Sequence, residues 1–336
     1  CFGIYNGIEV EGWPMDADQH VQWSQGCNLL EFWRENAVEP RFNYSKLSFR
    51  RIQATPGHYR LIVAGALMTD AGLAVTEVPP GDPAEPPPIW DELVAGERGE
   101  LGWLGAPLGP ATHLALNQPD LLEGGGLPAG KVLLERIESD SAEFEASGDR
   151  IRITAKEPGQ EVLRLRVRGL PVKGRDLLTV CNLTAEPMRA YPAECARIFN
   201  CFVLPDGERV EEGPHDYVFH KYGHANGNPF RSHFYFAGIE SATVDLEIEL
   251  ESTEPALLRE LAIFSYPDLM VRAFEHGVVL ANPSKSAHAF DLRALFPDRH
   301  LRRIRGTRWQ DRETNNGQAA GDTITVPAHD AILLEG

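Results

Sequence analysis

From about Lys131 to Leu261 the chain passes through one short segment after another in which apolar and polar residues alternate: EFEAS, RIRITA, VLRLRVRGL, LLTVCNLTA, ARIFNCFVL, YVFHKYG, SHFYFAGI, TVDLEIELES and LLRELAIF. A period of two puts every second side chain on the same face, so each segment reads as a half-buried strand with turn residues on either side. Many such strands at this spacing predict a β-sandwich over 131–266. Met270 to Gly336 again reads as strands (VRAFEHGVVLANP, AFDLRAL, HLRRIRGT, DTITVPA, AILLE), forming a small β-domain over 267–336.

The N-terminal part has a different rhythm. Phe2–Val10 (FGIYNGIEV), Arg41–Phe49 and Leu73–Val78 read as strands. A helix capped by Asp16 or Asp18 follows the first, with Val21, Leu30, Trp33 and Ala37 on its apolar side. A second helix is predicted over His58–Ala71, with Leu61, Ala64, Gly65 and Met68 at helical spacing and Gly72 as its C-cap. Strand, helix, strand, helix, strand predicts a β/α layer. The Pro-rich stretch 79–88 breaks it, and Asn117–Gly130, with three successive glycines, has the composition of a linker.

Composition excludes several partners. A net charge of −17 argues against nucleic acid, whose phosphates need clustered Lys and Arg. Neutral sugars remain compatible with it. No apolar run is long enough to cross a membrane, and no signal-peptide pattern precedes the first strand. A chain opening on Cys1-Phe2-Gly3 reads as one cut inside a strand. Five cysteines without a CxxC pair favour reduced, buried thiols, and a cytoplasmic setting over a secreted one. No phosphate-cradling glycine loop and no GxSxG occur, so no cofactor is expected. His215, His220, His224 and His233 cluster with Asp216, but His220 and His224 would converge on a metal only on a helix, and their segment reads as strand and loop. No metal site is expected; the segment reads first as a plain surface loop, with a polar loop touching glycan through Tyr217, Tyr222 or His224 as the alternative.

Specific motifs add a resemblance. LAVTE ends in Glu77; VPPGDPAEPPP, IWDE and GWLGAPLGPA follow; VRAFEHGVVLANPS lies far downstream, and NGIEVEGWP occupies 6–14. In this order they resemble glycoside hydrolases built on a (β/α)8 barrel. The resemblance implies that 1–116 is the C-terminal part of such a barrel, with the jelly-roll-like, carbohydrate-binding-module-like sandwich inserted before the C-terminal β-domain. It also implies hydrolysis of a glycosidic bond in an oligo- or polysaccharide. Three strands leave open edges, so a second polypeptide would have to supply the missing ones.

Barrel enzymes carry their chemistry at the C-terminal ends of strands. Glu9 and Glu11 share one side of the first strand, and Glu77 ends the third. Glycoside hydrolysis needs two carboxyls, and Glu11 with Glu77 would make the pair, with Glu9 as a further candidate. Trp13, Trp90 and Trp103 are candidate sugar platforms, with Asn43, Tyr44 and Asp91 as polar partners. Two other readings compete: a non-catalytic carbohydrate-binding protein that uses the sandwich, and a structural or assembly protein.

Overall fold

The computed structural model describes residues 4–11, 13, 19–48, 55–76, 89–95, 101–122, 134–188, 195–211, 218–306 and 311–336. They form two compact units. One comprises Cys1–Ile8, Ser24–Phe42 and Ala115–Pro267; the other comprises Glu9–Trp23, Asn43–Leu114 and Asp268–Gly336.

The first unit realises the alternating pattern as a sandwich of two five-stranded sheets. One sheet contains β5 (Ile137–Glu138), β8 (Val162–Pro171), β10 (Arg197–Leu204), β11 (His220–Ala225) and β13 (Thr243–Glu251), in the order β11-β10-β13-β8-β5. The other contains β6 (Ala142–Ser147), β7 (Arg150–Ala155), β9 (Asp176–Ala185), β12 (Phe230–Ala237) and β14 (Ala256–Phe264), in the order β12-β9-β14-β7-β6. All pairings are antiparallel. Leu163, Leu165 and Val167 of β8, Phe199, Cys201 and Val203 of β10, and Leu246, Ile248 and Leu250 of β13 point inward. They meet Leu177, Cys181, Phe234, Phe236, Leu258 and Leu261 from the opposite sheet in one core. Phe199 and Phe234 pack edge to face, with ring centroids 5.3 Å apart. Each such side chain contributes about 1.5–3 kcal/mol through burial.

Strand β12 is the edge of its sheet, and an uncovered edge invites pairing with another chain. Helix α1 (Gln19–Asn36) covers it with side chains spaced four residues apart, which share one helix face. Ser24 Oγ accepts from the Tyr235 amide at 2.9 Å. Asn28 does what a neighbouring strand would do: its Oδ1 accepts from the His233 amide at 2.8 Å and its Nδ2 donates to the His233 carbonyl at 2.7 Å. Phe32 packs edge to face on Phe230, with centroids 5.2 Å apart, and Asn36 Oδ1 accepts from Asn226 and Asn228. Residues Ile4–Ile8, expected within a strand over Phe2–Val10, are not strand. Instead the carbonyls of Tyr5 and Asn6 accept from the amides of Val38 and Phe42.

In the second unit, β1 (Glu9–Glu11), β2 (Tyr44–Ser48) and β3 (Gly72–Thr76) form a parallel sheet in the order β1-β2-β3. Helix α2 (Pro56–Thr69) has a Thr55–His58 capping box. Its C-cap lies two residues earlier than the glycine at 72 suggested: Asp70 takes the left-handed conformation (φ 56°), its carboxylate held by Arg272, and Gly72 already opens β3. Gly65 of α2 sits against Trp13, where a Cβ would lie 2.7 Å from the indole.

The expected barrel is not there. Three parallel strands do not close on themselves, and the rest of this unit is antiparallel: β4 (Thr112–His113), β15 (Met270–Phe274), β16 (Gly277–Asn282), β18 (Arg302–Arg303) and β20 (Asp330–Glu335), in the order β18-β20-β16-β15-β4. A pair formed by β17 (His288–Asp291) and β19 (Thr323–Val326) completes the described strands. The protein is therefore predominantly β, with a sandwich and a mixed second unit, and is not a (β/α)8 enzyme fold.

Two of the motifs that suggested a barrel, GWLGAPLGPA and VRAFEHGVVLANPS, instead form one tertiary staple. Residues 104–108 run beside VRAFEHG: Leu108 N donates to Ala273 O, Glu275 N to Ala106 O, and His276 N to Leu104 O. Gly105 (φ +75°) passes so close to Glu275 that a Cβ would sit 2.5 Å from its carboxylate. Arg272 donates to Gly109 O and to the Asp70 carboxylate, and Asn282 Nδ2 serves the carbonyls of Ser286, Val326 and Pro327. Those side chains hold the chain together rather than facing a cleft. Among the described residues, no helix is long and apolar enough to cross a membrane.

Candidate functional site

Strand ends fix where the sequence-derived candidates lie. Register pairs Glu9 with Tyr44 and Tyr44 with Gly72, so Glu9, Asn43 and Tyr44 sit at the N-terminal end of the parallel sheet, opposite the end where a barrel would place its chemistry. Glu9 accepts from the Tyr44 hydroxyl and lies 3.5 Å from Lys46 Nζ. Glu11 ends β1 beside Lys46 of β2. Glu77 lies outside the described residues, so of this carboxylate trio the structure places one side chain. Trp13 is 2% exposed, packs on Trp23 and donates its indole N–H to the Gln22 and Trp23 carbonyls. Asn43 is buried, its carbonyl taken by the Gly72 amide. Trp90 is the exposed indole of the three.

Trp103, Asp91 and Glu92 converge, but inside the protein. The Trp103 indole donates to the Glu92 carbonyl at 2.9 Å, and Asp91 and Glu92, on helix α3 (Trp90–Val94), are 2% and 4% exposed. Asn315 Nδ2 donates to Glu92 Oε1 at 2.8 Å, while Oε2 is enclosed without a hydrogen-bond partner among the described residues. Burial raises the Glu92 pKa to about 7, against the lowering effects of Asn315 and Arg60. Nearby, Arg60 donates to both oxygens of Asp330 and to Asp311. The turn TNNGQ therefore supplies a buried clasp through Asn315.

A different arrangement occupies the outer face of the β11-β10-β13-β8-β5 sheet. With the core residues pointing inward, alternation turns Arg164, Arg166 and Arg168 of β8, Glu247 and Glu249 of β13, Ile198, Asn200 and Phe202 of β10, and His220, Tyr222 and His224 of β11 outward. Register lines them up in rows: Tyr222, Asn200, Glu249, Arg164 and, beside it, His220, Phe202, Glu247, Arg166. Arg164 Nε reaches Glu249 at 2.7 Å, and Arg166 Nη2 reaches Glu247 at 2.9 Å. Arg209, from the β10–β11 connection, bridges both glutamates at 2.5 Å while its guanidinium lies 3.9 Å over the Phe202 ring. Burial opposes ionisation of Glu249, yet the hydrogen bonds from Arg209 and Arg164 hold it below the usual carboxylate range.

His220 stacks on Phe202 (centroids 4.5 Å apart, planes at 12°), with its Nε2 3.0 Å from Asn200 Oδ1. Burial, then the charges of Lys221 and Arg209, lower the His220 pKa to about 4, and burial likewise lowers that of His224 to about 4. Both rings are therefore neutral at neutral pH, and His220 Nε2–H donates to the Asn200 carbonyl oxygen. On a strand, His220 and His224 are about 13 Å apart, too far to share a metal. His215, Asp216 and Tyr217 lie outside the described residues. Toward β5 the face deepens into a cleft of about 290 Å³ lined by Glu138, Ser139, Asp140, the three arginines and Glu247. This face was partly legible: LRLRVRG and DLEIELE carry complementary charges at period two, and Tyr222 and His224 stood out. Arg209, on a connection, had no such signal.

No family model matches the chain, and no curated protein matches its sequence. Among solved structures it is similar to the CBM1 module of BiXyn10A (TM-score 0.27, 10% identity, covering 37% of this chain and 81% of that one). It is also similar to TmCBM61 in complex with β-1,4-galactotriose (TM-score 0.28, 9% identity, covering 44% and 99%). A third is the C-terminal CBM6 of LamC, a marine laminarinase from Zobellia galactanivorans (TM-score 0.27, 8% identity, covering 39% and 94%).

Proposed function

We propose that this protein binds carbohydrate without catalysis, through the outer face of the β11-β10-β13-β8-β5 sheet. The supporting observation is the row order on that face. Apolar and aromatic side chains on β10 and β11 adjoin planar, hydrogen-bonding groups on β13 and β8, all on one rigid sheet. Sugars present the same two chemistries: C–H faces that lie against rings, and hydroxyls that pair with amides, carboxylates and guanidinium groups. Tyr222 and Ile198 supply the apolar surface. Asn200, Glu249 and Arg209 supply the polar contacts, pre-oriented by the ion pairs that hold them. The carboxylates of this face are each locked to arginine, which suits them to accept hydroxyl hydrogen bonds and unsuits them to donate a proton.

Affinity electrophoresis of the full chain through gels containing a panel of polysaccharides tests the proposal. Retardation by at least one polymer, lost in Tyr222→Ala with an unchanged circular dichroism spectrum, is the expected result. Retardation that persists in both Tyr222→Ala and Arg209→Ala, or its absence throughout the panel, would overturn it.

A further inference from the structure

Resting on that reading, we infer that the ligand is a neutral glycan and that the central glutamates Glu247 and Glu249 exclude polyanionic ones. The five-strand order puts β13 in the middle of the sheet, so these two carboxylates form the central row of the face, recessed beneath the arginines that pair with them. Arginine stands on both sides of that row, Arg164 and Arg166 on β8 and Arg209 over Phe202, and every one of these guanidinium groups is already paired with it. Farther out, Arg168 pairs with Glu138 at 2.7 Å and approaches Asp245 at 3.9 Å, and Asp140 lies 4.0 Å from Arg164.

Around the two glutamates, four guanidinium groups stand against five carboxylates, Glu138, Asp140, Asp245, Glu247 and Glu249, a local net charge of −1 within a chain of −17. A stripe of three arginines on one strand looks from sequence like an anion site. Its partners cancel it.

The energetics follow from the pairing. A sulfate or uronate would have to draw a guanidinium away from its glutamate and leave that glutamate beside a second anion, and like charges at contact distance repel. A sugar hydroxyl needs no such exchange. It accepts from one group or donates to the other while the pair stays intact, because carboxylate and guanidinium each offer more hydrogen-bonding positions than one pairing uses. Both face histidines stay uncharged above about pH 5, so they add no cationic character near neutrality.

The test compares neutral polysaccharides (xylan, mixed-linkage glucan, β-1,4-galactan) with acidic ones (polygalacturonate, carrageenan) in affinity gels, using the full chain, at low and high salt. Retardation by a neutral polymer, with an affinity changing less than about twofold as salt screens charge, is the expected result. Tyr222→Ala should weaken it by about tenfold or more. In Glu247→Gln/Glu249→Gln the balance becomes four guanidinium groups against three carboxylates, and retardation by polygalacturonate should appear. Retardation of the unsubstituted chain by acidic polymers alone overturns this inference and leaves carbohydrate binding standing. Failure of the double variant to gain acidic binding overturns the role given to the glutamates. Absence of retardation by either class overturns the underlying reading as well.

Discussion

The outer face of the sandwich and the second unit use arginine–carboxylate pairs differently. On the face, Arg164, Arg166 and Arg209 keep solvent contact above Glu247 and Glu249, although the sandwich also encloses Arg197 and, against Phe236, Lys221. In the other unit the same residue types are enclosed: Arg60 with Asp330 and Asp311, and Asp91 and Glu92 beside Asn315. An exposed pair contributes little to stability and keeps its outer edge for a ligand, whereas a buried one costs several kcal/mol when broken. Identical chemistry therefore stays accessible in one place and is enclosed in the other.

The largest expected effect breaks the enclosed network. Arg60→Met leaves the Asp330 carboxylate, 3% exposed, without its partner. About 3–5 kcal/mol of unfolding free energy should be lost, read from urea denaturation. A loss no larger than that of an exposed pair would erase the contrast between the units.

Next comes pH. The Glu92 carboxyl titrates near 7 in the folded protein against 4.5 ordinarily, so between these values the folded state binds the extra proton. Stability should fall as pH rises through this window, by about 3 kcal/mol in total, and be independent of this group below it. Glu92→Gln should remove that slope and be the more stable protein at pH 8. Parallel pH profiles for the two would refute the assignment.

A smaller effect tests the helix that seals β12. Asn28→Ala deprives the His233 amide and carbonyl of their partner, at a cost of about 1–3 kcal/mol. It also opens an edge, so size-exclusion chromatography should show new self-association at high concentration. Smallest of all, Arg164→Ala on the sandwich face should cost about 1 kcal/mol or less while altering glycan retardation. A loss comparable with Arg60→Met would mean that the outer ladder is structural.

How much of this was legible depends on how local the signal is. The sandwich strands were, because alternation within one strand already states which side chains are buried, as Leu163, Leu165 and Val167 against Arg164 and Arg166 make plain. Helix α2 and strands β2 and β3 were legible for the same reason, whereas the first strand was expected over Phe2–Val10 and lies at Glu9–Glu11, and the capping role of Asp70 depends on Arg272 some two hundred residues away. The barrel expectation failed because its motifs are real contacts misattributed in place: LGAPLG and VRAFEHG match each other across an antiparallel pairing. Asn315 and Asn28 gave no signal, since a polar residue in a turn or on a helix reads as solvated until its partner is known.

By itself the sequence determined the sandwich, its outward charge ladders and the absence of cationic excess, all consequences of residue order and periodicity. Only the tertiary structure decided which carboxylates are enclosed, that Trp13 and Trp103 belong to the interior, and that Arg209 returns over Phe202. Burial and electrostatics are set by neighbours in space, and no period along the chain encodes a partner on a different element.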